Sequence, residues 1–212
     1  MLYKWLIKFC FAFLFLFLIP QLGIAQIITT IAGTGTGGFN GDGTIATTAD
    51  LNLPHGITVD SAGNIYIAEE LNNRIRKISI NTGIISTFAG TGTGGYNGDG
   101  LAATSTMIDA PFGLTFDVSG NLYFADRNNN RIRKITKSTG LVSTVAGTGT
   151  AGYNSDGIAA TSTMVNSPID VNLDANGNLL IADWVNHRVR KVEKKSGIIR
   201  TCAVPGTVGT NG

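Results

Sequence analysis

The chain repeats itself. The stretch "AGTGTGGFNGDG" starts at Ala32, "AGTGTGGYNGDG" at Ala89 and "AGTGTAGYNSDG" at Ala146, at a constant offset of 57 residues. At the same offset "NRIRKI" from Asn73 matches "NRIRKI" from Asn130 and "HRVRKV" from His187. A period of this size means one supersecondary unit stacked on copies of itself, because a single unit cannot bury its own apolar face. Any reading of one copy must therefore hold for all three.

Within a copy the apolar residues alternate, as they do on strands. Ile57 and Val59 share a face, and so do Ile65 and Ile67. The first copy divides into four strands at about 56–60, 64–69, 73–79 and 84–89, separated by "DSAGN", "ELNN" and "INTG". Those breaks carry Gly or Asn where the backbone must turn through positive φ. Short links make consecutive strands antiparallel neighbours, and four such strands at a fixed period form a β-propeller blade. The expected fold is all-β: three four-stranded antiparallel blades at about 56–89, 113–146 and 170–203. One extra N-terminal strand, "IITTIAG" from Ile27, precedes them, and a truncated fourth repeat starts at 204–212.

The segments "DSAGNIYIAEELNNRIRKI", "DVSGNLYFADRNNNRIRKI" and "DANGNLLIADWVNHRVRKV" resemble NHL repeats, and the resemblance covers essentially all of residues 26–212. It implies a propeller, most often with six blades. Three blades and a stray strand are an incomplete ring, or half of one. A homodimer would complete it with C2 symmetry.

Residues 1–25 read as a signal peptide. Lys4 and Lys8 precede the short apolar run "FCFAFLFLFLI", Pro20 ends it, and small residues at Gly23 and Ala25 place cleavage after Ala25. The expected location is secreted or periplasmic, with no stable membrane anchor after cleavage. The leader holds two of the 16 basic residues and no acids, so the mature chain is formally neutral. That leaves no electrostatic footprint for nucleic acid. Cys202 is the one cysteine beyond the leader, which rules out an intramolecular disulfide after cleavage.

The glycine loop invites a chemical reading, and the residues after it argue against one. A phosphate cradle needs a helix N-terminus after the glycines, whereas "DGTIATTADLNLP" follows here. Calcium needs six or more oxygens, and Asp42, Asp99 and Asp156 supply one carboxylate per loop. They are weak calcium candidates, and no cofactor is expected. In the structural reading Phe39, Tyr96 and Tyr153 plug the gaps between blades, and the aspartates accept backbone hydrogens in the following turn.

Glu69, Asp126 and Asp183 stand five residues before Arg74, Arg131 and Arg188, a spacing that suggests a carboxylate–guanidinium pair across each hairpin. Binding residues are sought where the copies differ. The tip residues Glu70, Arg127 and Trp184 diverge while their flanks stay constant. His55, matched by Phe112 and Ile169, precedes an inner strand near the central channel. No nucleophile elbow, HExxH motif or histidine cluster occurs. The expectation is therefore a non-catalytic binding or scaffolding module for a protein, peptide or glycan. The alternative is a metal-dependent lyase or lactonase-type enzyme whose site is completed by further blades or a second chain.

Overall fold

The computed structural model describes residues 27–203; the leader, its cleavage site and the start of a fourth repeat lie outside them. Blade one comprises β1 (Thr44–Ile45), β2 (Pro54–Val59), β3 (Ile65–Glu69), β4 (Arg74–Ile78) and β5 (Ile84–Ala89). Blade two comprises β6 (Pro111–Phe116), β7 (Leu122–Asp126), β8 (Arg131–Ile135) and β9 (Val142–Ala146). Blade three comprises β10 (Ile158–Ala159), β11 (Pro168–Leu173), β12 (Leu179–Asp183), β13 (Arg188–Val192) and β14 (Ile198–Ala203). All pairings are antiparallel, in the orders β1-β5-β4-β3-β2, β6-β7-β8-β9 and β10-β14-β13-β12-β11.

Two features of this topology differ from the sequence reading. The strand expected from Ile27 is not formed: residues 27–30 carry no regular secondary structure. In each copy the corresponding segment pairs with an Arg-x-Arg strand of its own blade. Conversely, the glycine loop supplies a short strand that was not foreseen. Thr44 and Ile45 pair with Ile85 and Ile84, Ile158 and Ala159 with Ile199 and Ile198, and Ala102 bridges Leu141. The loop therefore covers the outer edge of the blade it leads into before it turns inward, an edge that would otherwise stand open.

The core lies between blades. One cluster joins Tyr66, Ala68, Ile75 and Ala89 of blade one to Leu114, Leu122, Phe124 and Ile135 of blade two. The next joins Ala125, Ile132 and Ala146 to Val171, Leu179, Ile181 and Ile199. Inner strands approach so closely that a Cβ at Gly56 would lie 2.2 Å from the carbonyl oxygen of Phe112. Where a copy has no neighbouring blade among the described residues, the same positions are open. Ile57 is 61% exposed where its counterpart Leu114 is 8%, and Val189 is 40% exposed where Ile132 is 0%.

Candidate functional site

The glycine loops after blades one and two are each held by side chains of both blades they join. In the loop after blade one, Arg74 Nη2 donates to the carbonyl of Thr91 at 3.0 Å. Further along, Asn129 Nδ2 of blade two donates to the Gly95 carbonyl at 2.7 Å and Arg133 Nη2 to the Gly98 carbonyl at 2.9 Å. Asn73 adds a tie, its Oδ1 accepting the backbone N–H of Ala110 at 3.0 Å; Asn130 does the same for Ser167. Asn73, Asn130 and His187 all sit at φ near +50°, a left-handed turn position that Asn and His tolerate better than most residues.

The carboxylate pairs are real but shifted by one alternate residue. Asp126 Oδ2 accepts from Arg133 Nη1 at 3.1 Å, Asp183 from Arg190 at 3.3 Å and Glu69 from Arg76 at 3.5 Å, with all six side chains fully buried. Arg74, Arg131 and Arg188, the partners expected from spacing, lie directly across the hairpin from these acids but turn to the loop instead. Arg131 donates to the carbonyls of Asn129 and Thr148 and covers Tyr96, its guanidinium carbon 3.8 Å from the ring centroid. The reason is burial. The second arginine of each strand is excluded from water and requires a carboxylate. The first lies nearer the surface, where Arg74 and Arg131 reach loop carbonyls and Arg188 the tip carbonyl of Asn186.

Asp42, Asp99 and Asp156 complete this network. Asp99 Oδ1 accepts from Arg133 at 3.1 Å and from the Thr144 hydroxyl, and its Oδ2 takes the Thr144 backbone N–H at 3.0 Å. Asp42 and Asp156 make the same contact with Arg76 and Arg190. These aspartates thus reach across to their own blade's outer strand, not into the following turn, and serve as guanidinium partners. Among the described residues no three His, Cys, Asp or Glu side chains gather as a metal site would require. Phe39, Tyr96 and Tyr153 lie under two guanidiniums each instead of filling the gap between blades.

Burial pushes the Asp126 carboxyl up to about 6, against the hydrogen bonds from Asp109 N–H and Asn129 and the charge of Arg133. The folded state then holds this proton more tightly than the unfolded chain does. Between pH 4 and 6 the unfolded chain has fewer bound protons, so this group's contribution to stability falls as pH rises. We expect the melting temperature of Asp126→Asn, relative to wild type, to improve from pH 4 to pH 6 and level off above; a flat difference would contradict the assignment.

The four residues singled out as ligand candidates come together. His55 Nε2 lies 2.7 Å from Glu70 Oε2, and Glu70 Oε1 accepts from Arg127 Nη1 at 3.0 Å. The guanidinium carbon of Arg127 sits 5.0 Å from the ring centroid of Phe112 and 5.2 Å from that of Trp184. The His55 ring stacks on Phe112 at 3.8 Å between centroids. Inner-strand starts and hairpin tips of three blades thus form one continuous row on the face that carries the glycine loops. Trp184 is 49% exposed, with Leu71 and Val185 exposed at the neighbouring tip positions. Phe112, which ties the row together, was visible in the sequence only as the counterpart of His55.

A model of the teneurin NHL domain family matches residues 35–97. NHL repeat-containing protein 2 of Bos taurus is 29% identical over 68% of this chain and 21% of its own length. Among solved structures, a protein of unknown function from Bacteroides thetaiotaomicron VPI-5482 is 25% identical with a TM-score of 0.62, covering 79% of this chain and 40% of that one. An auxiliary nutrient binding protein from the same organism is 25% identical with a TM-score of 0.55, covering 68% of this chain and 36% of that one. The chain spans well under half the length of each of these proteins. With three copies of the D-x-x-G-N turn and Arg-x-Arg strand folded as stacked four-stranded blades, the chain carries repeats of the NHL type in a propeller-type arrangement.

Proposed function

We propose that this chain is an exported, non-catalytic binding module that takes a protein or peptide segment on the face carrying Glu70, Arg127 and Trp184. The observation that supports it is the convergence of the divergent positions. The residues in which the copies differ form one row, while the residues they share are consumed in holding loops to blades. Trp184 is the anchor: a half-exposed indole beside a guanidinium, flanked by Val185 and Leu71, has the composition of an interface hot spot. The Glu70 bridge holds Arg127 in place before a partner arrives, which lowers the ordering cost of binding. A similar solved structure described as a nutrient binding protein is consistent with a binding role outside the cytoplasm.

The test is a displayed peptide library and a glycan array, each probed with residues 26–212 and with Trp184→Ala. Peptides that lose at least about tenfold in affinity with the variant are the expected result, in line with an anchor worth roughly 1–2 kcal/mol or more. Peptides that bind wild type and variant alike, or hits confined to glycans, would overturn it.

A further inference from the structure

At the opposite end of the strands from the tips, a groove of about 490 Å³ opens between blades one and two. Its volume falls within the roughly 300–1,000 Å³ of small-molecule sites. Tyr66 lies at its floor, edge-on to Phe88 and to Phe116 with centroids 4.9 Å apart in both pairs. The counterparts of Phe88 and Phe116 at the next junction are Val145 and Leu173, so the aromatic floor belongs to this groove and is not imposed by the repeat.

Lys77 and Lys137 line the groove, and neither makes an ion pair among the described residues. Comparison of the blades explains why Lys77 is free. Each D-x-x-G-N turn fills its aspartate with two backbone N–H groups and the Asn side chain, leaving one acceptor position. In blade three that position takes Lys191, 3.1 Å from Asp174 Oδ2. In blade one it takes the Tyr66 hydroxyl, which donates to Asp60 Oδ2 at 3.1 Å. Blade three has Leu180 at the tyrosine position and no hydroxyl to compete. Tyr66 therefore displaces Lys77, whose ammonium sits 5.6 Å from the tyrosine ring centroid. Asp117, on the other wall, is filled in the same way by Ser119, Asn121 and Tyr123. With both carboxylates saturated, the cationic donors left over are the two lysines above an aromatic floor.

We propose that this groove binds an amphipathic organic anion, its apolar body against Tyr66, Phe88 and Phe116 and its carboxylate on Lys77 and Lys137. The site is independent of the tip row and of any reading of it. The probe is 2-naphthoate, titrated into residues 26–212 by calorimetry, with the neutral 2-naphthalenemethanol as comparison. Saturable binding of the carboxylate, at least about fivefold tighter than the alcohol, is expected. Lys77→Gln with Lys137→Gln should remove that preference. Tyr66→Phe, which keeps the ring but lets Asp60 capture Lys77, should weaken naphthoate several-fold and leave the alcohol unchanged. Equal binding of acid and alcohol, absence of saturable binding, or lysine variants that bind naphthoate as wild type does would each overturn the proposal.

Discussion

Replacing Arg133 with Met is expected to cost about 3–5 kcal/mol, the range found when one partner of a buried ion pair is removed. Arg133 is fully buried, and its guanidinium bonds Asp126, Asp99 and the carbonyl of Gly98. Without it Asp126 remains as a buried carboxylate with two neutral donors, and the loop after blade one loses the guanidinium that ties Gly98 and Asp99 to blade two. For a domain of this size that loss corresponds to a fall in melting temperature of about 10 °C. Arg131→Met is the comparison. Its guanidinium caps Tyr96 and bonds loop carbonyls near the surface, so a loss of about 1 kcal/mol is expected. Urea unfolding of both variants reads the difference directly. Equal losses would mean that the buried pair does not dominate the blade, and a larger loss from Arg131→Met would restore the pairing suggested by spacing.

Gly90→Ala is expected to destabilise by about 4 kcal/mol through two additive causes. The residue sits at φ +94°, where an L side chain is strained by roughly 1–2 kcal/mol. Its Cβ would also stand 2.3 Å from the carbonyl oxygen of Asn73 and 2.9 Å from Ile108 Cδ1. That carbonyl belongs to the left-handed turn whose own side chain ties down Ala110, so it cannot retreat without releasing the tie. Overpacking of this kind adds about 1–3 kcal/mol. Gly100→Ala separates the causes, since φ is +81° there and nothing lies within 4 Å of the added carbon. A loss confined to Gly90→Ala would identify crowding alone, comparable losses would identify strain alone, and a larger loss at Gly90 would show both. Two neutral substitutions would refute the geometry. The glycine loop is thus a fitted part, and its glycines answer to backbone shape.

The period, the alternation and the turn residues determined the blades in advance, because each rests on a local cause. Strand alternation follows from the two-residue repeat of the pleat, and Gly or Asn at a turn follows from the φ that turn demands. The strand bounds accordingly fall within about two residues of those inferred. Partner choice was not legible, because it depends on which face a side chain takes and on how deeply it is buried. Spacing put Glu69 with Arg74, yet both Arg74 and Arg76 stand on that face, and depth alone assigns the carboxylate to Arg76. The same holds for Asp42, which is 34 residues from the guanidinium it meets. Divergence among copies marked His55, Glu70, Arg127 and Trp184 as positions free of the repeat's constraints. Only the stacking of three blades turned those separate positions into one row: His55 and Glu70 meet within blade one, but the contacts from His55 to Phe112, Glu70 to Arg127 and Arg127 to Trp184 all run between copies, 57 residues apart for Glu70 and Arg127.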